Sequence, residues 1–395
     1  MHGWSGSRSA LARFGVRPVI NASGIYTDLG GSIMSPEIMS AWAELNLDWV
    51  RMTDLLDGTG AAVAELLDVP GARITPSASA AIALATAACM TGDDGRRWEQ
   101  LPGAPGERSE ILLQGPQLER YKYDLCVKLP GATLTAAPPA GLAAAIGART
   151  AALFHVAHLD GCHDTLPLEK VAAVAREAGI PVIVDAAYYN FPLMPDHRAD
   201  LAFAARDTMR AWHARGGDLV CFSAKYFWGP NAGGFVMGRR DLIDTVGGLD
   251  FTRYESGPFK AFGRAFKMGR FEIVATVLAL EAWLRRDHRI RLETYRGQVD
   301  RFADQLAGVP DVDIRPVYFT LDERWIYPED EQAFVNAATV RFDGGRDAAT
   351  IAAVLAEGDP RILPFVEDGL MTVVMETVRP GDERRIADAI LAALA

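Results

Sequence analysis

Short apolar runs alternate with helix-like segments between about residues 60 and 245. The runs that we predict to be β-strands are Ile111–Leu113, Thr133–Leu134, Ala151–His155, Val182–Val184, Leu219–Phe222 and Phe235–Met237. Strands that alternate with helices form a mostly parallel sheet with helices on both of its faces. This part of the chain is therefore predicted to be a large α/β domain, with ligands bound beyond the carboxyl ends of its strands.

Further elements are predicted on either side of this domain. Residues 1–35 are interpreted as an arm or loop, and a helix is expected from Ser35-Pro36 to near Asp57, because proline suits a first helical turn. The polar stretch 92–106, with two prolines, is expected to be a surface excursion. A long helix from about Phe271 to Asp287 is expected to link the domains.

The remainder of the chain predicts a smaller α/β domain. Its expected strands lie near Val312–Val317, Val340–Phe342 and Met371–Met375, and its expected helices near 346–357 and 382–394. We therefore divide the chain into an N-terminal arm and helix (1–58), a large ligand-binding domain (59–255), and a linking helix with the small C-terminal domain (256–395).

Composition narrows the class of protein. The chain has 395 residues, 49% of them hydrophobic, and no run of 18 apolar residues, which predicts a soluble protein without a membrane partner. The net charge of −11 is spread along the chain and argues against a nucleic-acid partner. The four cysteines lack metal-site spacing, and residues 1–8 lack the apolar core of an export signal. We expect a cytoplasmic protein with reduced thiols.

Lys225 stands at the end of an apolar strand, in Leu219-Val-Cys-Phe-Ser-Ala-Lys225, and a Gly/Pro/Asn loop follows it. An amine held in such a dry site can lose its proton and form a Schiff base with an aldehyde. Forty residues upstream, Ile180-Pro-Val-Ile-Val-Asp185-Ala-Ala187 ends another buried strand in a carboxylate. Together they indicate pyridoxal 5'-phosphate (PLP), with Lys225 on its aldehyde and Asp185 keeping its pyridine nitrogen protonated.

A third element supports the same cofactor. Thr75-Pro-Ser77-Ala78-Ser79 is a small polar turn before an alanine-rich segment of strong helix propensity. The N-terminus of a helix binds anions through its free N–H groups and its dipole. We predict that Ser77, Ala78 and Ser79, with Ser223, hold the phosphate. An ordinary serine N-cap on a core helix is the alternative.

Two other groups of residues have more than one interpretation. The histidines His155, His158 and His163 follow a strand end, but their spacing fits no known metal motif, and we predict no metal. A lining role is favoured, with one histidine as a general acid or base. The aromatic residues Tyr188, Tyr189 and Tyr226–Trp228 either line the site or pack at a dimer interface.

The chain resembles fold-type I PLP enzymes, in the branch that contains bacterial selenocysteine synthase and D-glucosaminate-6-phosphate ammonia-lyase. The resemblance covers about residues 15–390. The segments that carry it are Ile20-Asn-Ala, Leu29-Gly-Gly-Ser32, Ser77-Ala-Ser-Ala-Ala, Cys89-Met-Thr-Gly-Asp93, Leu101-Pro102, Asp185-Ala-Ala, Ser223-Ala-Lys225, Gly229-Pro230 and Arg264-Ala-Phe-Lys267-Met-Gly269. It implies the aminotransferase-like fold, a homodimer or larger oligomer, and a site at the subunit interface.

The chain also departs from this branch. Relatives have Gln-x-Gly-His-Arg-x-x-Tyr-Asp where this chain has Glu119-Arg120-Tyr121-Lys-Tyr123-Asp124, so the histidine expected to cover the cofactor ring is Glu119. Tyr121 and Tyr123 are the candidate substitutes. Near the C-terminus, Phe365 and Glu376 stand where relatives carry arginines.

The resemblance implies α-proton abstraction by Lys225 followed by β-elimination from an amino acid or amino sugar acid. Aldolase, racemase and aminotransferase reactions remain alternatives, as does a PLP-fold protein that binds without catalysis. The residues expected to contact the small-molecule amine substrate are Arg120, Tyr123, His158, Arg264 and Glu376.

Overall fold

The computed structural model describes residues 10–322, 324–330 and 332–395, apart from the side chain of Ser256. Residues 1–8, on which the expectation of no export signal rested, lie outside this range. The strands are β1 Val19–Ala22, β2 Gly71–Thr75, β3 Glu110–Gln114, β4 Thr133–Ala137, β5 Thr150–Val156, β6 Val182–Asp185, β7 Leu219–Ser223, β8 Gly234–Gly238, β9 Val312–Thr320, β10 Arg324–Ile326, β11 Ala337–Phe342, β12 Arg361–Glu367 and β13 Leu370–Val374.

Helices flank these strands. They are α1 Ala10–Arg13, α2 Pro36–Leu45, α3 Met52–Leu67, α4 Ala78–Thr91, α5 Gly95–Gln100, α6 Gly115–Arg120, α7 Asp124–Lys128, α8 Leu142–Ala145, α9 Leu168–Ala178, α10 Ala204–Ala214, α11 Arg240–Leu249, α12 Thr252–Ser256, α13 Arg270–Arg285, α14 His288–Leu306, α15 Ala348–Glu357 and α16 Asp382–Leu394. Short 3-10 helices include Ala157–Leu159, Ala224–Phe227 and Met375–Thr377.

The chain folds into two compact units. The larger unit comprises Gly30–Leu193 and Asp200–Arg286, and the smaller unit comprises the described residues up to Leu29, Met194–Ala199 and Asp287–Ala395. Helix α13, predicted as the link between domains, belongs to the larger unit. The division of the chain into the segments 1–58, 59–255 and 256–395 rests on the sequence alone and stays a prediction.

A seven-stranded sheet forms the centre of the larger unit, in the order β2-β8-β7-β6-β5-β3-β4. Strand β8 is antiparallel to both of its neighbours, and the other pairings are parallel. All six predicted strands are present, and the predicted mostly parallel α/β class is confirmed. The carboxyl ends of β2, β6 and β7 therefore lie at one edge of this sheet.

Helix α4 is buried on nearly all sides, with Ser79 and Cys89 as its less buried members. It packs against α11, α7 and strands β5–β8. Alanine favours the helix and, because it has almost no side chain, lets the backbone approach the sheet closely. The alanine-rich sequence thus fixes a helix whose N-terminus opens at the same sheet edge.

The smaller unit contains a six-stranded sheet in the order β1-β12-β13-β11-β9-β10. The predicted strands near 312–317, 340–342 and 371–375 and both predicted helices are present. Strand β1 corrects the interpretation of residues 1–35 as an arm or loop. It pairs in parallel with β12, from Val19 against Arg361 to Ala22 against Pro364, and this distant partner leaves no local sequence signal.

The predicted single helix from Ser35 to Asp57 is wrong, because two helices, α2 and α3, occupy this region. Helix α2 ends where the N–H of Asn46 bonds to the carbonyl of Ala43 and the N–H of Leu47 bonds to the carbonyl of Glu44. The apolar side chains that follow, Leu47 and Trp49, are two positions apart and cannot share one helical face. Both are exposed. The chain therefore leaves the helix before it restarts at Met52.

Candidate active site

The turn between β2 and α4 has the geometry of an anion site. Ser77 is the N-cap of α4, and its Oγ accepts a hydrogen bond of 3.1 Å from the N–H of Ala80. The hydroxyl of Thr75 donates to the carbonyl of Ser77 at 2.9 Å and holds the turn. The N–H groups of a first helical turn have no acceptor within the helix. Those of Ala78 and Ser79 are therefore available to an anion.

Gly234, the first residue of β8, allows that strand to pass directly against this turn. A Cβ at position 234 would lie 2.5 Å from the carbonyl oxygen of Phe222, and 2.8 Å and 2.9 Å from the backbone of Ser77 and Ala78. All three are backbone atoms, so no side chain could move aside. The close approach holds the turn against β8, which follows Lys225 in the chain and pairs with β7.

Asp185 and the lysine segment lie on neighbouring parallel strands, with Asp185 opposite Cys221. Backbone hydrogen bonds join the two segments beyond the strand ends. The N–H of Ala186 donates to the carbonyl of Cys221 at 3.1 Å, and the N–H of Ser223 donates to that of Ala187 at 2.9 Å. The carboxylate and the Ser-x-Lys turn are therefore held in fixed relation.

Both oxygens of Asp185 accept hydrogen bonds within the larger unit. The hydroxyl of Tyr121 donates to Oδ2 at 2.7 Å, and the N–H of Ala187 donates to Oδ1 at 3.1 Å. Burial raises the pKa of Asp185, while these hydrogen bonds and the charge of His158 act in the opposite direction. Burial and then the charge of Asp185 raise the pKa of Tyr121, so its hydroxyl stays neutral and donates.

Lys225 lies in the 3-10 helix after β7 and is 9% exposed. Its Nζ is 4.9 Å from the centroid of the Tyr226 ring. The following loop is held from the N-terminal segment, because the hydroxyl of Ser32 donates to the carbonyl of Gly229 at 2.7 Å. Gly31 has a φ of +75° and sits close against Asn231. These contacts give the Gly-Gly-Ser32 signature a structural role.

A row of rings leads from His158 to Lys225. His158 stacks on Tyr188 at 6.1 Å between centroids, and Tyr188 meets Tyr226 edge-on at 5.7 Å. All three side chains are half-buried. Tyr189 is buried behind Tyr188 and against Trp212. These half-buried rings form a continuous row of contacts that ends beside Lys225.

The three histidines do not act together. His155 is fully buried, and its Nε2 lies 3.0 Å from Oδ1 of Asp160. His163 is exposed and has a positive φ of 50°. Among the described residues, no group of three or more His, Cys, Asp or Glu side chains could hold a metal ion. His158 alone lies near the carboxylate of Asp185.

Three of the expected substrate residues are on the surface of the larger unit. Arg120 pairs with Glu119 at 3.7 Å, and Arg264 pairs with Glu255 at 3.2 Å. Tyr123 is 47% exposed and lies beside the buried Tyr121, with 6.0 Å between ring centroids. Each guanidinium would have to exchange its carboxylate partner for a substrate carboxylate.

Phe365 and Glu376 both belong to the smaller unit. The guanidinium of Arg324 lies over the Phe365 ring at 5.2 Å and pairs with Glu367 at 2.8 Å. Glu376 is in the 3-10 helix after β13, and its charge contributes to the raised pKa of Tyr318. Phe365 and Glu376 thus each have neighbours within the smaller unit.

The residues at the sheet edge fit PLP. The first turn of α4, with Ser77, Ser79 and Ser223, supplies donors for a phosphate. Asp185 supplies a buried carboxylate for the pyridine nitrogen. Lys225 supplies a buried amine for an aldehyde. An anion site, a carboxylate and an amine at one sheet edge match the three polar ends of this cofactor.

Several known proteins are similar to this chain. The family model described as L-seryl-tRNA selenium transferase matches residues 140–287, which include Asp185 and Lys225. D-glucosaminate-6-phosphate ammonia lyase of Salmonella typhimurium is 30% identical over 307 residues, or 75% of each chain. A solved structure of an enzyme of that name has a TM-score of 0.79 and 25% identity, over 99% of this chain and 100% of that chain.

One further relative and one solved structure have lower sequence identity to this chain. The 5'-C-glycyluridine monooxygenase-decarboxylase of a Streptomyces species is 26% identical over 366 residues, or 88% of this chain and 82% of the relative. A serine palmitoyltransferase from S. paucimobilis with bound PLP shares the fold alone, with a TM-score of 0.54 and 14% identity over 95% of this chain and 87% of that one.

The fold and the site define a PLP-dependent enzyme of fold type I, and the cofactor is pyridoxal 5'-phosphate. Within that class, the chain belongs to the family that contains D-glucosaminate-6-phosphate ammonia lyase and L-seryl-tRNA(Sec) selenium transferase. No helix among the described residues is long and apolar enough to cross a membrane.

Some contacts at the site could not be read from the sequence. Ser32 and Gly229 are 197 positions apart, and Tyr121 and Asp185 are 64 apart. Gly234 stood in a Gly-Gly pair that looked like ordinary loop sequence. The one available signal was the position of Ser32 and Gly229 inside segments that resemble the family.

Proposed function

We propose that the protein is a PLP-dependent lyase that takes the α-proton from an amino acid or amino sugar acid and eliminates a β-substituent. The observation that carries this proposal is that Asp185 and Lys225 lie at the ends of two neighbouring parallel strands, β6 and β7, in a chain 30% identical over 307 residues to an ammonia lyase. When bound, PLP supplies an electron sink for the negative charge that forms at Cα.

Lys225 is the proposed catalytic base. Its Nζ holds the cofactor in the resting enzyme and then takes the α-proton from the bound substrate. Burial favours this role, because an amine removed from water is more easily found without its proton. The ring of Tyr226, whose centroid is 4.9 Å from Nζ, limits the space available to the amine.

Asp185 is proposed to keep a proton on the pyridine nitrogen. Its two hydrogen bonds, from Tyr121 and from the N–H of Ala187, favour the carboxylate form that a protonated nitrogen requires. Ser77, Ser79 and Ser223, with the N–H groups of the first α4 turn, are proposed to hold the phosphate. The close packing of Gly234 against the backbone of Ser77 and Ala78, which leaves no room for a Cβ, is proposed to keep that turn in place.

The substrate is proposed to be a small amine, and the pocket is proposed to differ from that of the named relatives. Arg120, Tyr123, His158, Arg264 and Glu376 are the proposed contacts. If Glu376 faces the substrate, it repels a carboxylate and attracts a cation, whereas Phe365 offers only apolar contact. A substrate with a basic or apolar far end fits these residues, or a carboxylate held by Arg264 or Arg120.

The proposed assembly is a homodimer or larger homo-oligomer without a nucleic-acid partner. The acidic net charge of −11 supports the second point, because a nucleic-acid surface is normally basic. The selenium-transfer reaction named for the family model is therefore not the one we favour.

A substrate panel tests the proposal. The holoenzyme would be incubated with phosphorylated amino sugar acids, small hydroxy amino acids and basic amino acids, and 2-keto acid and ammonia would be measured. Elimination predicts both products in equal amounts. Inverted substrate, a cleaved carbon chain or a transferred amino group would instead indicate a racemase, aldolase or aminotransferase.

A second candidate follows from the Streptomyces relative, which covers more of this chain than the ammonia lyase does. Its name describes an oxidative decarboxylation, so oxygen uptake and CO2 release would be recorded in the same panel. Uptake of oxygen without 2-keto acid would favour that reaction class. Binding of PLP with no reaction on any member of the panel, by protein that is otherwise folded, would favour a non-catalytic binding protein.

A further inference from the structure

Tyr121 has a contact that its predicted role as a ring-stacking residue does not use. Its hydroxyl donates to Oδ2 of Asp185 at 2.7 Å, and only 4% of Tyr121 is exposed. Its ring packs against Phe154 at 5.4 Å and against Tyr123 at 6.0 Å between centroids. Little of the ring is therefore open to a ligand, whereas the hydroxyl reaches the carboxylate directly.

We propose that Tyr121 is a positioning residue, which holds Asp185 as an oriented carboxylate and acts on the cofactor through Asp185 and not by direct contact. This inference rests on the proposed role of Asp185. Each Asp185 oxygen receives one hydrogen bond, from Tyr121 on Oδ2 and from the N–H of Ala187 on Oδ1. Since a carboxylate has about four acceptor positions, both oxygens keep capacity for the pyridine N–H.

The groups that face Asp185 come from four elements. Besides Tyr121, they are His158 after β5, Cys126 on α7 and Cys221 on β7. Burial raises the pKa of both thiols, so they are neutral near pH 7. The charge of His158 also favours the carboxylate. Tyr121 is thus the neutral donor that supports the carboxylate at every pH where its hydroxyl is intact.

The consequence for PLP binding has a definite sign. A hydrogen bond to a carboxylate favours the charged form and lowers its pKa. Removing the hydroxyl of Tyr121 raises the pKa of Asp185 further, and a protonated Asp185 cannot pair with a protonated pyridine nitrogen. The loss of PLP affinity is therefore greatest at low pH and becomes smaller as pH rises and Asp185 ionises without help.

A double-mutant cycle tests this inference by PLP affinity and needs no substrate. Tyr121→Phe removes one oxygen and keeps the ring, and the cycle places it in the wild-type and the Asp185→Asn backgrounds. We expect about a tenfold loss of affinity in the wild type near pH 7, the size expected for a charge-assisted hydrogen bond. We expect a change below about twofold in Asp185→Asn, because no carboxylate remains to be held.

Tyr295→Phe is the matched control, because it makes the same change at a buried tyrosine of the smaller unit. Unfolding of each apo-protein by urea shows whether a variant is folded. If Tyr121→Phe does not fold, Tyr121→His takes its place, because histidine keeps a ring and an N–H donor. Tyr121→His should lose less than tenfold in PLP affinity in the wild-type background and should cause no further loss in the Asp185→Asn background.

Three results would overturn the inference. They are wild-type affinity in Tyr121→Phe, an equal loss in the two backgrounds, and a loss that does not diminish with rising pH. An equal loss would mean that Tyr121 contacts the cofactor itself. Failure of the proposed function gives a different result. If only the reaction type is wrong, the PLP affinities in this cycle are as expected, because no substrate is used. If the site itself is wrong, Asp185→Asn does not change the PLP affinity.

Discussion

Gly234→Ala should damage the candidate phosphate site although it adds a single methyl group. The new Cβ would lie 2.5 Å from the Phe222 carbonyl oxygen and 2.8–2.9 Å from the backbone of Ser77 and Ala78. Strand β8 is bonded to β2 on one side and β7 on the other. It cannot retreat without breaking hydrogen bonds, so the strain falls on the ladder or on the phosphate turn.

The cost follows from the nature of these contacts. Overpacking by one methyl group typically costs about 1–3 kcal/mol, and we expect the upper part of this range because all three contacts are with backbone atoms. Displacement of the turn should also weaken PLP binding at least tenfold, which corresponds to about 1.4 kcal/mol. Urea unfolding of the apo-protein and PLP titration would measure the two effects separately.

Gly147→Ala is the control for this experiment. No atom lies within 4 Å of a Cβ at position 147, and its φ is not in the left-handed region. The free energy of unfolding and the PLP affinity should both change little. If Gly234→Ala also binds PLP within twofold of wild type and unfolds at the same urea concentration, the close approach does not hold the phosphate turn, and this reasoning is refuted.

Five further substitutions test the proposed roles separately. Ser79→Ala and Ser223→Ala should each weaken PLP retention by about 1–2 kcal/mol, the size of one lost charge-assisted hydrogen bond, as measured by dialysis and titration. Asp185→Asn should still bind PLP, with lower affinity, and should slow the exchange of the substrate's α-proton in deuterated water by orders of magnitude; near-normal exchange would remove Asp185 from its role. Arg264→Ala and Arg120→Ala should reduce turnover of an acidic substrate, and a strong preference for a doubly acidic or phosphorylated substrate that neither change diminishes would show that the charge argument is wrong.

Much of the larger unit could be predicted because its signals are local. Short apolar runs marked strands β3 to β8, and polar residues at the ends of β6 and β7 marked Asp185 and Lys225. The alanine-rich segment predicted α4 and the position of its N-terminus. These features depend on residues that are neighbours in the sequence.

The features that the sequence did not reveal depend on distant partners or on steric detail. Strand β1 pairs with a strand about 340 positions away, and four apolar or small residues alone do not distinguish a strand from an arm. The break between α2 and α3 contains no proline or glycine to mark it. The hydrogen bond from Tyr121 to Asp185 could not be predicted without the order of the strands in the sheet. The two residues are 64 positions apart and belong to different segments of the chain.

The most direct test of the central claim is to locate the lysine that carries PLP. The holoenzyme would be reduced with borohydride, digested, and analysed by mass spectrometry for the phosphopyridoxyl group. The account predicts one modified residue, Lys225, and no modification and no visible absorbance band in Lys225→Ala. A reducible adduct on another lysine, or one that persists in Lys225→Ala, would contradict it.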